Sequence, residues 1–350
     1  MKIMHVLKHA YENNGHVHMA VDLACAQADA GHQVTFASTR NSYEELLRRH
    51  GVRVVDVPEA VGLRAPLVSG WALLRLARDV RPQIVHAHMM SSAVLAHPVA
   101  KLTGAVLVTT MHNSFDRHSA LMRLGKVVVA VSEAERTALL ARGFPARSTV
   151  TVLNGPVASA REELREGREV RQMATPCVVS LSGLHARKAV GDIITAFGEA
   201  LPHAPGWHLN IIGEGPDRER LEELVERSGL GASVHFIGST PTPWGLLEQA
   251  DVYASASLDE PFGLSVAEAR AAGCAVVATA VGGIPEVLDH GRAGQLVPPS
   301  DPSAMAAVLR ELMSDPAVLA SWQARARDGL EALTVQRVQS DYDRVYRSVL

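Results

Sequence analysis

The sequence DEPFGLSVAE, residues 259–268, joins an apolar run at 251–257 to a helical pattern that ends at Ala272. Gly273 follows that pattern, and residues 274–278 are again apolar and rich in valine. Glycine commonly ends helices, and short apolar runs are typical of buried strands. We therefore predict a strand, a loop, a helix and a second strand around this stretch.

The stretch places two carboxylates on either side of a helix start. Glu260 is predicted in the loop, with Glu268 more than a turn inside the helix, and Pro261 and Gly263 allow a tight turn between them. The free N–H groups at residues 263–265 and the positive end of the helix dipole form an anion site. This arrangement suits a ligand that has hydroxyls at both ends and phosphate between them. The spacing alone fits equally well a loop glutamate and a solvated helix glutamate.

The composition is that of an ordinary globular chain. The 350 residues are 47% hydrophobic and 20% charged, and this length predicts two domains. The three cysteines, Cys25, Cys177 and Cys274, are far apart and form no zinc or disulfide pattern, which favours a reducing compartment. No apolar run is long enough for a signal peptide or a membrane span. We expect a cytoplasmic protein.

Charge is distributed unevenly along the chain. Residues 1–157 hold 17 lysine and arginine residues against 11 aspartate and glutamate residues, and the rest holds 17 against 26. A basic first half fits peripheral contact with the anionic inner face of a membrane, although unselected surface charge explains it equally well. No basic cluster is interleaved with aromatic residues, so nucleic acid is not an expected partner.

Strands and helices are predicted to alternate, which indicates parallel, doubly wound sheets. The predicted strands are 2–7, 33–37, 53–57, 83–88, 105–110, 127–131, 149–153, 177–182, 207–212, 233–237, 251–257, 274–278 and 291–297. Residues 158–173 are polar and charged and are predicted to form a linker. The chain is predicted to finish with helices at 302–313, 316–333 and 335–350.

Histidines are frequent, with 16 in the chain. His86 and His88 alternate on one predicted strand, and His112 follows the end of the next strand, where α/β folds place ligand residues. No cysteine or pair of carboxylates completes a metal site nearby. We therefore expect hydrogen-bonding histidines and no metal.

Two loops of the second half bear on phosphate binding. Arg187 and Lys188 are adjacent at a predicted helix start after a strand, a position that favours an anion between them over simple solvation. The sequence GEGPDR at 213–218 has arginine where the dinucleotide fingerprint has glycine, and the first strand–helix turn lacks the fingerprint too. An enzyme using a nicotinamide cofactor is therefore disfavoured.

The two glutamates with seven residues between them resemble the E-x7-E motif of glycosyltransferase family 4, a large group of retaining transferases with the GT-B fold. Supporting segments occur in the family's order across nearly the whole chain: Gly-His at 31–32, VHAH at 85–88, Val-Ser at 131–132, Asn-Gly at 154–155, Arg-Lys at 187–188, GEGP at 213–216, AVGG at 280–283, and the pair Tyr342 and Tyr346. The ordered set is far more specific than any one segment.

The resemblance implies an α/β protein with two Rossmann-like, doubly wound domains that face each other across a cleft. Residues 1–157 would bind the acceptor, residues 158–334 the nucleotide sugar, and residues 335–350 would form a helix that returns to the first domain. The implied catalytic residues are Glu260, His112 and Lys188. The implied donor-binding residues are Gly15, Arg187, Lys188, Glu260, Phe262, Gly263, Leu264, Ser265 and Glu268.

In these roles Glu260 contacts the hydroxyls of the donor sugar, and Glu268 contacts the ribose. Lys188 and the amides at 263–265 hold the diphosphate, with Gly15 near the phosphates and His112 beside the sugar. The expected reaction is the transfer of a hexose-type sugar from a nucleoside diphosphate to a glycan or lipid-linked acceptor during cell-surface polysaccharide synthesis. No cofactor or metal is expected.

The chain departs from the family in two loops. Family members often carry Gly-Arg-Leu where this chain has Ser182, Gly183 and Leu184, so one phosphate-binding arginine is missing, and the sequence leaves open whether Arg187 replaces it. The usual Gly-Gly after the first strand is Asn-Gly at 14–15. A GT-B sugar-nucleotide epimerase and a non-catalytic nucleotide-sugar-binding protein remain alternatives.

Overall fold

The computed structural model describes residues 1–12, 14–58, 65–113, 117–165, 171–240 and 242–350. It divides into two compact units. Unit 1 comprises Met1–Glu162 and Thr334–Leu350, and unit 2 comprises Glu163–Leu333.

Unit 1 is built on a parallel sheet that, within the described residues, has seven strands. In chain order they are β1 (Lys2–Ala10), β2 (Gln33–Asn41), β3 (Arg53–Asp56), β4 (Ile84–Ala87), β5 (Val106–Met111), β6 (Val127–Ala130) and β7 (Thr149–Thr151). Their spatial order is β3-β2-β1-β4-β5-β6-β7. The chain winds outward in one direction from β1 and in the other from β4, so the switch point lies between these two strands.

The helices of unit 1 before the linker are α1 (Gly15–Asp29), α2 (Glu44–Arg49), α3 (Ala65–Val80), α4 (Met90–Thr103) and α5 (Glu133–Ala141). The central strands β1, β4 and β5 are almost wholly buried because helices cover both faces of a parallel sheet. Ser132 accepts a hydrogen bond from the backbone N–H of Glu135 and so caps α5.

Unit 2 repeats this architecture. Its described strands are β8 (Cys177–Leu181), β9 (His208–Ile212), β10 (Val234–Gly238), β11 (Val252–Ser255), β12 (Ala275–Thr279) and β13 (Gln295–Val297). All pairs are parallel, in the order β10-β9-β8-β11-β12-β13, so the switch point lies between β8 and β11. The predicted pair of doubly wound parallel sheets is confirmed.

The helices of unit 2 are α6 (Val190–Ala200), α7 (Arg218–Arg227), α8 (Trp244–Leu247), α9 (Leu264–Ala272), α10 (Ile284–Val287), α11 (Pro302–Ser314) and α12 (Pro316–Ala326). The prediction of one helix over 316–333 is wrong. The helix ends at Ala326, and Gly329 adopts a positive φ of 73°, which breaks the helical path before a short 3₁₀ turn at Leu330–Leu333.

The last helix, α13 (Val335–Val349), belongs to unit 1. Tyr342 and Tyr346 are buried there in a cluster with Ile3, Ile84 and Val108 of the sheet. No helix among the described residues combines the length and the apolar character needed to cross a membrane.

Candidate active site

Loops that follow the strands at the switch point of unit 2 are joined by backbone contacts. The N–H of Gly283 donates to the carbonyl of Glu260 at 2.9 Å, and the N–H of Leu258 donates to the carbonyl of Arg187 at 2.8 Å. A Cβ on Gly282 would lie 1.9 Å from the Glu260 carbonyl oxygen, so only glycine fits against this loop. The close approach explains why the AVGG segment is needed beside the glutamate.

These loops bring three charged side chains together. Lys188 donates a hydrogen bond to the Glu260 carboxylate, and Arg187 lies 3.7 Å from the same carboxylate. Arg187 also donates to the backbone carbonyl of Asp259 at 2.6 Å. The Lys188 and Glu260 side chains are 17% and 16% exposed. In the structure the anion that relieves the repulsion between the two cations is therefore the Glu260 carboxylate.

Helix α9 begins directly after this cluster. Gly263 precedes it with a φ of 102°, a conformation that favours glycine, and as the N-cap residue it supplies no side-chain hydrogen bond to the helix. Tyr253 on β11 donates a hydrogen bond to Ser265 at 2.8 Å, which ties the first turn to the sheet. Burial raises the pKa of Tyr253, and the nearby Glu260 and Glu268 carboxylates raise it further. The tyrosine is therefore a stable donor to Ser265 at neutral pH.

Other predicted donor-binding residues lie on the same helix or just before it. Phe262 and Glu268 are buried, whereas Leu264 and Ser265 in the first turn are half-buried. Glu268 lies four residues, just over one turn, along the helix from Leu264, as the sequence predicted. The sequence did not single out Tyr253. The available signals were its place on the strand before the motif and a phenol that can reach the start of the helix.

Unit 1 contains the remaining predicted residues. Gly15 is the first residue of α1, and His112 follows β5. His112 Nε2 lies 3.2 Å from His88 Nδ1, and the His16 ring centroid is 5.9 Å from that of His112. Burial, with a smaller contribution from His16, lowers the pKa of His112 to about 3. His112 is therefore neutral at physiological pH.

A group of three buried histidines lies beneath His112. His5 on β1 and His86 on β4 are paired in register, and His88 follows on the same face, so their nitrogens lie within 4.8 Å of one another. His5 was not predicted from the sequence, because only the β1–β4 register brings it beside His86. The set could hold a metal ion by geometry. However, each ring nitrogen has a hydrogen-bond partner: His5, Thr110, Tyr346, Gln27, His88 and His112 supply them.

The carboxyl ends of the strands in unit 1 border an apolar cavity of about 370 Å³. Its lining includes Lys8, Thr39, Leu73, Met90, Leu95 and Leu121. Leu67 and Trp71 of α3 are 73% and 64% exposed, and they lie on the helix two residues away from Ser69 and Leu73, which line the cavity, so they belong to a different face. Exposed apolar side chains that lie together on one helix face are a feature of interaction sites.

The chain matches two families of sugar-transfer enzymes. Residues 162–329 match the family described as glycosyl transferases group 1, and residues 13–157 match glycosyltransferase family 4. Glycogen synthase of Mycobacterium tuberculosis (strain CDC 1551 / Oshkosh) is 30% identical, over 94% of this chain and 86% of that protein. A GDP-mannose-dependent alpha-(1-6)-phosphatidylinositol monomannoside mannosyltransferase of the same strain is also 30% identical, over 79% of this chain and 78% of that protein.

The fold is similar to that of solved GT-B proteins. The crystal structure of Anabaena Alr3699/HepE in complex with UDP and glucose has a TM-score of 0.83, with 20% identity over 99% of this chain and all of that one. The two parallel, doubly wound sheets, the order of the motifs and the identity to glycogen synthase lead to one assignment. The chain is a GT-B glycosyltransferase of family 4, in the group described as glycosyl transferases group 1.

Proposed function

We propose that this enzyme transfers a hexose-type sugar, with retention of anomeric configuration, from a nucleoside diphosphate sugar to a glycan or lipid-linked acceptor. The observation that carries the proposal is the cluster of Lys188, Arg187 and Glu260 at the start of α9, on the switch point of unit 2. Ligands of doubly wound folds bind at such points. Of the proteins similar to this chain, the Mycobacterium tuberculosis mannosyltransferase is named as GDP-mannose-dependent, and the Anabaena protein was crystallised with UDP and glucose.

In this proposal each group of the cluster meets one part of the donor. The amides of the first turn of α9 and the Lys188 ammonium neutralise the diphosphate, because a helix N-terminus and a cation both favour negative charge. Glu260 contacts hydroxyls of the transferred sugar, and Glu268 binds the ribose. On donor binding, Lys188 is shared between the Glu260 carboxylate and a phosphate oxygen. The contact between Lys188 and Glu260 orients the ammonium beforehand.

The reaction breaks the anomeric C–O bond, and its electron pair leaves with the diphosphate. The acceptor hydroxyl forms a new C–O bond on the same face of the sugar, and its proton passes to the leaving phosphate oxygen. Negative charge develops on the diphosphate, so fixed donors aimed at it lower the barrier. Glu260 is assigned to sugar hydroxyls in this proposal, so it does not serve as the nucleophile of a double displacement.

The same groups replace a metal in the proposal. We expect transfer to continue in excess EDTA, because Lys188 and helix-end amides supply the positive charge. Activity that is lost with EDTA and restored by Mg²⁺ or Mn²⁺ would contradict this part of the proposal.

Of the two acceptor classes in the proposal, we favour the lipid-linked one, with its apolar part in the cavity of unit 1. Leu67, Trp71 and Arg75 recur every four residues on α3, and the Arg75 guanidinium lies 5.8 Å from the centre of the Trp71 ring. An exposed tryptophan beside arginine suits the interface of an anionic bilayer. Trp71→Glu is expected to reduce cosedimentation with anionic vesicles without changing donor binding. Equal cosedimentation of both proteins would argue for a water-soluble glycan acceptor.

The deciding experiment is a donor screen. Thermal shift with UDP-, GDP- and ADP-hexoses should reveal one nucleotide class that raises Tm, since a ligand that binds only the folded state stabilises it. Product analysis with that donor should then show a glycoside with the donor's anomeric configuration. Binding without hydrolysis or transfer would favour a non-catalytic nucleotide-sugar-binding protein, and an altered free donor would favour an epimerase.

A further inference from the structure

A chain of hydrogen bonds between side chains runs through the buried side of unit 1 to His112. Gln27 Oε1 lies 2.8 Å from His5 Nε2, and His5 Nδ1 lies 2.8 Å from His88 Nε2. His88 Nδ1 in turn lies 3.2 Å from His112 Nε2. Gln27, His5 and His88 are fully buried, so bulk water does not compete for the bonds between them, and the bond from His88 to His112 is partly buried.

The donor in each of these bonds follows from the amide of Gln27. An amide oxygen only accepts, so His5 Nε2 carries the hydrogen. A neutral imidazole has one N–H, so His5 Nδ1 accepts from His88 Nε2–H, and His88 Nδ1 accepts from His112 Nε2–H. His112 Nδ1 is thereby left with a lone pair.

The terminal helix α13 binds the amide nitrogen of Gln27. Gln27 Nε2 donates to the Tyr346 hydroxyl at 3.3 Å, and this hydroxyl donates to His86 Nδ1 at 2.7 Å. His86 Nε2 then donates to Thr110 at 2.7 Å. A distance of 3.3 Å between Gln27 and Tyr346 suits an N–H donor better than a hydroxyl donor, whose bonds are usually shorter. The amide nitrogen of Gln27 is therefore on the Tyr346 side.

Each histidine ring in this series of hydrogen bonds is neutral and has one N–H. Burial lowers the pKa of His5 to about 4 and that of His112 to about 3, and it lowers the pKa of His88 well below its usual value. Because each ring has only one N–H, the donor and the acceptor in each hydrogen bond are set by those in the neighbouring bond. A change at Gln27 therefore reaches His112.

We propose that Gln27, anchored by Tyr346, fixes His112 in the Nε2–H tautomer, so that Nδ1 accepts a hydrogen bond from a hydroxyl of the donor sugar. The second half of this inference rests on the proposed function and on the place beside the donor sugar that the family resemblance implies for His112. Gln27 and Tyr346 are positioning residues, since neither touches the sugar. A protonated or reversed His112 would present a donor at the same place.

The test is the ¹⁵N spectrum of histidine-labelled protein, with each of the rings assigned by single substitution. Nitrogen shifts of imidazole distinguish the two neutral tautomers. In the wild type, His5, His88 and His112 are expected in the Nε2–H form. In Gln27→Met, which keeps the side-chain length but removes both the amide oxygen and the amide nitrogen, His112 is expected to populate both tautomers, with kcat falling by up to about tenfold, the scale of one hydrogen bond.

Tyr342→Phe is the matched control. Tyr342 is on the same face of α13 as Tyr346, but its hydroxyl bonds Thr110, which is joined to Gln27 only through His86 and Tyr346, so it lies off the path from Gln27 to His112. We expect it to leave the His112 spectrum unchanged. Tyr346→Phe, which removes the anchor of the Gln27 amide, should shift His112 in the same direction as Gln27→Met. This second variant keeps the test informative if Gln27→Met does not fold.

Three results would overturn the inference: wild-type His112 in the Nδ1–H form, a His112 spectrum unaffected by Gln27→Met and Tyr346→Phe, or stoichiometric zinc binding that shifts His5, His86 and His88. The last would make these residues a metal site instead. A changed tautomer with unchanged kcat would overturn the link to the sugar. If the tautomers are as expected but no nucleotide sugar binds, the proposed function alone fails.

Discussion

The two candidate regions of the enzyme use opposite electrostatics. In unit 2, Lys188, Arg187 and Glu260 form a charged cluster that is partly open to solvent. In unit 1, His5 and His88 are fully buried and neutral, and they contact one another through directional hydrogen bonds. Partly solvated charges can be shared with a phosphate at little cost, whereas buried neutral groups hold one geometry. We infer that unit 2 neutralises charge and unit 1 sets orientation.

Unit 1 also contains a buried ion pair, and removing its cation should give the largest effect that this comparison predicts. Arg161 donates to both carboxylate oxygens of Asp22 at 2.9 and 3.0 Å, and both side chains are almost wholly buried. Arg161→Ala would leave a buried carboxylate without its cation, so we expect a loss of roughly 3–5 kcal/mol in the free energy of unfolding. Urea unfolding measures it.

Arg53→Ala is the control for that prediction. Arg53 pairs with Asp79 at 2.9 Å in the same unit, but both side chains are more than half exposed. Exposed pairs contribute about 0–1 kcal/mol, so this variant should unfold almost like the wild type. Equal losses for the two arginine variants would contradict the distinction between buried and solvated charge.

Lys188→Ala is expected to have the next largest effect. Removing one charge-stabilising group should lower kcat by roughly two to three decades. The unfolding free energy should change little, because Arg187 remains 3.7 Å from the Glu260 carboxylate and the pair is partly exposed. Steady-state kinetics and urea unfolding measure the two effects. Near-normal turnover would remove Lys188 from the proposed site, and Arg187→Ala shows whether the neighbouring cation takes the larger share.

These side chains also show what the sequence could and could not predict. The strands were predictable because central strands of parallel sheets are continuous apolar runs. The position of Glu260 and Glu268 around a helix start followed from the glycines and the motif. By contrast, Arg161 was assigned to a polar linker, because its partner Asp22 is 139 residues away and nothing local indicates burial.

The same limit applies to the histidines and to the charged cluster. His5 joins His86 only through strand register, which the alternation of apolar residues in a single strand does not specify. The sequence predicted an anion between Arg187 and Lys188 but assigned that place to a phosphate. The structure pairs both with Glu260, 72 residues from Lys188. Local pattern therefore predicted the elements, and long-range partners determined the details of the site.

The two glutamates should fail differently when neutralised. Glu268→Gln should weaken binding of nucleoside diphosphate and intact donor alike, by about 1.5–3 kcal/mol, because a charge-assisted bond to ribose is similar in the ground and transition states. Glu260→Gln should mainly lower kcat, because its charge matters most as the sugar becomes cationic. Calorimetry with nucleoside diphosphate and steady-state rates separate the cases. Loss of nucleotide binding in Glu260→Gln, but not in Glu268→Gln, would reverse the assignments.

Mild acid should lower the stability of unit 1 more than that of unit 2, and this effect should be smaller than those of the substitutions above. Burial holds the pKa of His5 near 4, below its value of about 6.5 in the unfolded chain, and also depresses the pKa of His86 and His88. Between these values the unfolded chain binds more protons, so the stability of unit 1 is greatest above about pH 6.5 and falls as the pH is lowered.

From pH 7 to 5.5, His5 alone should remove about 1 kcal/mol from the stability of unit 1, with His86 and His88 adding to it. Unit 2 has a smaller term, since His235 is half-buried and its pKa is lowered less strongly, by burial and by His208. Hydrogen exchange followed by mass spectrometry, corrected for intrinsic rates, reports on peptides of each unit at both pH values. If unit 2 loses as much protection as unit 1, the buried neutral histidines of unit 1 are not the source of the acid sensitivity. Loss of protection in unit 1 alone would support a network of hydrogen-bonded histidines that keeps its geometry only while its rings stay neutral.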